Sequence, residues 1–229
     1  GLRLAPVAAN GIATINRLAP GRCFMGLGTG NTAMRMLGHP PAKVAEFKEY
    51  IRVVSALLRG EEVEFTLDGV THPITFANQD FGYINVTDPI PVHVGGFGPR
   101  AQALAGELGD GLITGIPRGG SITQALANVR RGAERAGRSL DDFKTYALVN
   151  LLMLEPGETF ECERAIAEIG SGIMVNVHYL VERWKETGED PPDYVKPIWK
   201  DYLAFLEERD GARQHQEMHK SHYSYLDPK

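Results

Sequence analysis

The 229-residue chain has 43% hydrophobic and 23% charged residues and a formal net charge of -5, which is the composition of an ordinary globular domain. Because there is no basic excess and no apolar run of about 18 residues, we expect neither nucleic-acid binding nor membrane association. The two cysteines lack zinc-site spacing, so the composition favours a cytoplasmic single domain with a small-molecule partner.

The first third of the sequence predicts two helices around a short strand. Apolar residues recur at helical spacing over 6–18 and are followed by a proline-glycine stop, and the apolar run 23–27 predicts a buried strand. A longer amphipathic helix is predicted over 44–58. Alternating and turn-forming residues over 62–84 indicate a small hairpin and a loop.

Strands and helices then alternate along the chain. Three strands are predicted at 91–94, 111–114 and 146–154, and three helices at 100–108, 122–136 and from 158 onward. Strands alternating with helices across short loops indicate a parallel sheet covered by helices, which is an α/β fold.

After Gly170 the sequence is rich in helical patterns and aromatic residues. Tyr194, Ile198, Tyr202 and Phe205 share one face of a predicted helix. We interpret this stripe first as core or subunit-contact packing, with a lid over a substrate pocket as the alternative.

Glycines follow the first predicted strand. Gly28, Thr29, Gly30 and Asn31 stand where this strand ends, and glycine there lets backbone N–H groups approach a planar or anionic ligand. A tight turn without a ligand is the alternative. We interpret these four residues as a candidate coenzyme loop.

The next strand of the predicted sheet ends in the same way, at Gly95, Gly96, Gly98, Pro99 and Arg100. Proline at the first turn of a helix leaves free N–H groups and a favourable helix dipole for an anion. We expect these glycines, Gly96 included, to leave the space that a ligand needs.

A third strand ends in Thr114 and Gly115, and Arg118 follows closely. A hydroxyl and a permanent positive charge suit a phosphate group. Because the carboxyl ends of parallel strands open onto one face, three such ends favour a common ligand site over isolated turns.

A dinucleotide-binding Rossmann domain is the competing enzyme class, since Gly28, Gly30 and Ala33 satisfy its glycine spacing. That fingerprint opens a helix directly and is followed by an acid at the end of a second strand. Here a proline pair interrupts the pattern, and the acids Glu46 and Glu49 fall inside a predicted helix. The match is therefore interpreted as accidental.

At these residues the sequence resembles the luciferase-like monooxygenase superfamily, especially the branch similar to methylenetetrahydromethanopterin reductase and other enzymes of coenzyme F420. The resemblance rests on ATI at 13–15, PGR at 20–22, GLGTG at 26–30, GGFGPR at 95–100, LA at 104–105 and GDG at 109–111. It implies a (β/α)₈ TIM barrel of which the chain holds about the fourth to seventh strands. On that basis we expect one truncated domain, with barrel units over 1–157 and a helical insertion or lid over 158–229.

The resemblance also implies F420 or FMN as coenzyme, with hydride transfer to or from a small organic substrate, or monooxygenation. Gly28 to Asn31 and Gly95 to Arg100 would lie along the ring, and Thr114, Gly115 and Arg118 near the phosphate. Catalytic residues cannot be assigned. A non-catalytic coenzyme-binding barrel protein is the alternative outside the enzymes. For the full-length protein we expect a homodimer.

Histidines offer a weaker alternative. His215, His219 and His222 would share one helical face, as a metal site requires, but their flanks are polar and the HExxH glutamate is missing, so no metal site is expected. His178 is expected to be a hydrogen-bonded core residue. Asp110 is expected to cap or orient structure rather than to perform acid–base chemistry.

Overall fold

The computed structural model describes residues 3–115, 121–208 and 211–219, of which 217–219 are described by their backbone only. The helices in these ranges are α1 (Ala5–Leu18), α2 (Asn31–Met36), α3 (Val44–Leu58), α4 (Pro99–Leu108), α5 (Ile122–Ala136), α6 (Glu163–Thr187), α7 (Lys196–Glu207) and α8 (Gln214–His219). The strands are β1 (Met25–Leu27), β2 (Val63–Leu67), β3 (Val70–Ile74), β4 (Val92–Gly95), β5 (Gly111–Gly115) and β6 (Lys144–Leu148). The chain forms two compact units. The first unit consists of Gly1–Gly30 and Ala42–Val149, and the second consists of Asn31–Pro41 and Asn150–Lys229.

The first unit contains a four-stranded parallel sheet in the order β1-β4-β5-β6, which confirms the predicted α/β fold. Leu27 pairs with Val94, and Val94 pairs with Leu112. Because paired residues of parallel strands point the same way, these three side chains share one face, and all three are buried in the core. This face is therefore the one that the helices cover.

Small residues bring α1 close to α3. Ala5, Ala9 and Ala13 of α1 are buried in the same cluster as Ile51 and Val54 of α3. Burying an isoleucine or valine side chain stabilises the fold by about 1.5–3 kcal/mol, so this layer is a main source of stability. The predicted bounds of both helices are confirmed.

Helices α4 and α5 approach each other still more closely, at two glycines. A Cβ atom added to Gly106 would lie 1.9 Å from the carbonyl oxygen of Val129, and one added to Gly132 would lie 1.8 Å from that of Ala103. No side chain fits at such distances. Both positions therefore require glycine for packing.

The hairpin predicted within 62–84 is confirmed as the antiparallel pair β2–β3, in which Val63 pairs with Ile74. Asp68 and Gly69 form its turn with φ of 52° and 80°. Two successive residues with positive φ fit the tight turn that matches the twist of a two-stranded ribbon.

The second unit is helical. Its buried cluster consists of Val177, Val181, Val195, Trp199 and Leu206. Of the predicted stripe, Tyr202 packs against this cluster, whereas Tyr194, Ile198 and Phe205 are 61%, 51% and 45% exposed. The core-packing interpretation is therefore wrong for these three side chains, whereas a subunit contact or a lid stays a prediction.

Two element boundaries differ from the sequence-based expectation. β6 covers Lys144–Leu148 rather than 146–154, because its pairing with β5 ends where Leu148 meets Gly115. α6 begins at Glu163 rather than at 158. The Cys162 sulfur accepts the N–H of Ala165 at 3.4 Å and thereby caps the start of the helix.

The short helix α2 was not predicted. It begins at Asn31, directly after Gly30, so a helix does follow the first glycine loop. This removes one ground for setting aside a Rossmann fingerprint. The other ground is confirmed, because Glu46 and Glu49 lie inside α3 rather than at the end of a strand.

Candidate active site at the carboxyl edge of the sheet

The carboxyl ends of β1 and β4 lie against each other. A Cβ atom added to Gly95 would lie 3.3 Å from the carbonyl oxygen of Leu27 and 3.7 Å from the Cα of Gly28. The structure therefore brings together the first two predicted glycine loops. We call Gly28, Gly95–Gly98 and Gly115 the carboxyl edge.

The glycines of this edge differ in the space around them. A Cβ atom added to Gly28 or Gly98 would have no neighbour within 4 Å. One added to Gly96 would lie 3.0 Å from the backbone of Ala101 and Gln102 in the first turn of α4. The expectation that Gly96 leaves space for a ligand is corrected, because the helix itself fills that space.

Helix α4 begins at the edge as the sequence predicts. Gly98 is its N-cap without a side-chain hydrogen bond, and Pro99 stands in the first turn. The first N–H groups of such a helix have no intrahelical acceptor and suit an anion. Arg100 instead lines a groove of about 550 Å³, together with Lys48 and Glu107, on the helical side of the sheet.

At the end of β5, Thr114 and Gly115 play different parts. Thr114 is 1% exposed, lies on the helix-covered face with Leu112, and donates its hydroxyl to the Gly115 carbonyl at 3.4 Å. Gly115 lies under the ring of Phe97, whose Cε1 would be 3.2 Å from an added Cβ atom. The third candidate, Arg118, lies outside the described residues.

The remaining candidates continue the loop after β1. The Thr29 carbonyl accepts the N–H of Ala42 at 3.1 Å, and Gly30 has a φ of 75°. Asn31 opens α2 in the second unit, where its side-chain oxygen accepts the Nε–H of Arg35 at 2.8 Å. Thr29 and Asn31 thus have structural partners of their own.

The opposite, amino edge of the sheet borders a cavity of about 970 Å³ that His93 and Ser55 help to line. His93 is 4% exposed and lies between the rings of Phe24 and Tyr146, with centroid distances of 4.9 and 5.0 Å. Burial lowers the pKa of the His93 imidazole below its ordinary 6.5, and the Asp110 carboxylate opposes this shift. His93 Nδ1 and Ser55 Oγ are buried without a hydrogen-bond partner among the described residues.

Asp110 is held at the amino edge by a backbone hydrogen bond and an ion pair. Its carboxylate accepts the N–H of Val92 at 2.8 Å, and its other oxygen lies 3.5 Å from the guanidinium of Arg138. Both contacts join neighbouring elements. This geometry agrees with the prediction that Asp110 orients structure.

The predicted histidine cluster lies only partly within the described residues. Among the described residues no group of three or more His, Cys, Asp or Glu side chains could hold a metal ion. His222 and the side chain of His219 lie outside the described residues. His178 is buried at 4% exposure and stacks on Tyr202, as predicted for a core residue. Within the described ranges, no helix is long and apolar enough to cross a membrane.

Sequence reasoning missed three residues that support the edge. Phe97 lies between two of the glycines and is 64% exposed. Gln102 of α4 and Asn128 of α5 are buried and hydrogen-bonded to each other. The polar residues at buried helical positions were the available signal, but nothing in the sequence shows that they meet.

Comparison with known proteins gives a consistent result. The family model described as luciferase-like monooxygenase matches residues 2–219. The F420-dependent glucose-6-phosphate dehydrogenase of Beutenbergia cavernae is 30% identical over 231 aligned positions, covering 86% of this chain and 65% of that protein. The protein of the same name from Nakamurella multipartita is 34% identical over 146 positions, covering 61% of this chain and 42% of that protein. The matched part of the chain thus spans 42% to 65% of the length of these relatives.

The fold has solved counterparts. An F420-dependent secondary alcohol dehydrogenase in complex with an F420-acetone adduct superposes with a TM-score of 0.60 at 19% identity, over 96% of this chain and 61% of that one. At this identity the likeness concerns the fold alone. With the parallel sheet, the glycine-bearing strand ends and a family match over 2–219, this chain belongs to the luciferase-like monooxygenase family.

Proposed function

We propose that this chain is the coenzyme-binding part of an oxidoreductase, with F420 or FMN held at the carboxyl edge. The observation that carries the proposal is the contact between two glycine-bearing strand ends, where Gly95 lies against Leu27 and Gly28. A side chain at Gly95 would separate the two strand ends. In this proposal the four parallel strands correspond to the fourth to seventh strands of a (β/α)₈ barrel, whose active site lies at the carboxyl ends.

The residues present fit a planar, phosphate-bearing coenzyme. Open space at Gly28 and Gly98 admits a ring close to the backbone. The uncapped start of α4 suits a phosphate group. A bound F420 or flavin supplies hydride transfer, and the chain's own part is to orient the ring, hold the phosphate and exclude water.

Among the two coenzymes we propose F420 first, because both relatives described above are F420-dependent enzymes. The first substrates to test are glucose 6-phosphate, which is named for both relatives, and a small secondary alcohol, which is named for the solved structure. FMN, with hydride transfer or monooxygenation, is the alternative within the same site. For the full-length protein we propose a homodimer, which sedimentation velocity tests.

The test is a fluorescence titration of the protein with F420 and FMN, and with NADH as the competing class. We expect saturable binding of F420 or FMN and none of NADH. Binding of NADH alone would contradict the proposal and favour the Rossmann alternative. Binding of F420 without its reduction by any tested alcohol or sugar phosphate would favour the non-catalytic alternative.

A further inference from the structure

The carboxyl edge carries one exposed aromatic ring. Phe97 is 64% exposed, and its Cε1 would lie 3.2 Å from a Cβ atom added to Gly115. Gly96 and Gly98 flank it, so no neighbouring side chain in the loop covers the ring. A single exposed aromatic residue is common on protein surfaces, and its meaning depends on how firmly the structure holds it.

The backbone around Phe97 is fixed on both sides. The N–H of Gly96 donates to the carbonyl of Ile113 at 2.9 Å, which joins the loop to β5. The side-chain amide of Gln102 donates to the Phe97 carbonyl at 3.4 Å, which joins it to α4. Phe97 therefore lies on an anchored loop.

A second amide fixes the first. Asn128 of α5 donates to the side-chain oxygen of Gln102 at 2.7 Å, and the two residues are 3% and 4% exposed. Because the Gln102 oxygen accepts from Asn128, its NH₂ group is directed at the Phe97 carbonyl. Buried amides cost free energy unless they are hydrogen-bonded, so a pair in a helix interface of small residues needs a reason.

We propose that Phe97 is the aromatic contact for the planar ring of the coenzyme, and that Gln102 and Asn128 are positioning residues that act through it. This inference rests on the proposed function. An aromatic ring held at the edge offers an offset-stacked or edge-to-face contact to a planar heterocycle. The buried amide pair then sets the height of that ring above Gly115.

The first experiment compares coenzyme dissociation constants, measured by fluorescence titration with F420 and with FMN. We expect Phe97→Ala to bind about tenfold more weakly and Phe97→Tyr to bind like the unaltered protein. The matched control is Phe81→Ala, since Phe81 is 61% exposed and lies in the 3₁₀ turn Gln79–Phe81 after the hairpin. That variant should bind normally.

The second experiment tests whether Gln102 acts through Phe97. Gln102→Met keeps the volume but removes the hydrogen bonds, and we expect it to weaken coenzyme binding severalfold. In the Phe97→Ala background the same change should have no further effect, because the ring that it positions is absent. A merely structural role would give additive effects, which would overturn the positioning role.

The outcomes separate the two proposals. If the unaltered protein binds neither F420 nor FMN, both the function and the role of Phe97 are overturned. If it binds a coenzyme and Phe97→Ala binds it equally well, the function stands and the role of Phe97 is overturned. Loss of binding in Phe97→Ala, with an unchanged unfolding midpoint and a normal Phe81→Ala control, supports the inference.

Discussion

The carboxyl edge of the sheet and the α4–α5 interface both depend on glycine, but for opposite reasons. At the edge, a Cβ atom added to Gly28 or Gly98 would meet nothing within 4 Å, whereas one added to Gly106 or Gly132 would lie less than 2 Å from a carbonyl oxygen of the opposite helix. Glycine leaves open space in the first region, where we propose that a ligand binds, and lets two helices touch in the second. What surrounds the missing Cβ atom, rather than the glycine itself, therefore distinguishes a site from a packing contact.

The two regions are also connected. Gln102 and Asn128 lie in the α4–α5 interface, and through the Phe97 carbonyl they reach the carboxyl edge. Gly96 belongs to both, because it is part of the edge and its missing Cβ atom faces α4. A Gly96→Val variant would thus disturb the helix and the edge together and could not distinguish them.

The strongest test of this comparison is Gly132→Ala. An added methyl group would lie 1.8 Å from the Ala103 carbonyl oxygen, so the helices must separate. We expect the free energy of unfolding to fall by about 3 kcal/mol or more, measured by urea denaturation. The control is Gly11→Ala on the exposed side of α1, where nothing lies within 4 Å; it should gain about 0.5–1 kcal/mol. A Gly132→Ala protein of unchanged stability would show that the two helices are not in contact in solution.

The second test is Gly28→Val at the carboxyl edge. Because open space surrounds this position, we expect the unfolding free energy to change by no more than about 0.5 kcal/mol. Coenzyme affinity should fall at least about tenfold, which is about 1.4 kcal/mol, since the side chain would occupy the space proposed for the ring. Circular dichroism melting and fluorescence titration measure the two quantities. Unchanged affinity would mean that this loop is only a turn.

The sequence alone predicts the helices of both regions and the position of the glycine loops. The apolar periodicity and the proline and glycine stops gave the bounds of α1, α3 and α5, since each helix has one buried face. The glycine loops were correctly expected at one edge, because the carboxyl ends of parallel strands lie together. The two kinds of glycine could not be told apart, because the neighbours of Gly28 and Gly132 come from contacts that periodicity does not encode.

The details of the site depended on the same missing information. Thr114 was expected near a phosphate, yet strand alternation places it with buried Leu112. Gln102 and Asn128 meet across 26 positions of sequence, and no local pattern announces such a pair. Secondary-structure propensity and the positions of proline and glycine predict where a chain turns. They do not predict which side chains then face each other.

The smallest expected effect is on the pH dependence of stability and concerns His93 at the amino edge. In contrast to the glycines of the two regions above, this position carries a buried side chain. Burial lowers the pKa of His93 in the folded protein below 6.5, whereas the unfolded chain keeps the ordinary value. As the pH falls below 6.5, the unfolded state therefore takes up a proton that the folded state does not, and stability decreases until the lowered pKa is passed. His93→Phe keeps a ring between Phe24 and Tyr146 but removes the proton site and the Nδ1 that has no partner among the described residues.

We expect the unfolding free energy of the His93→Phe variant to fall less between pH 7 and pH 5 than that of the unaltered protein. The control is His72→Gln, at the exposed His72 of β3, which should behave like the unaltered protein. Parallel stability curves for the unaltered protein and His93→Phe would show that His93 is protonated as readily in the folded protein as in the unfolded chain, and hence that the amino edge is open to water.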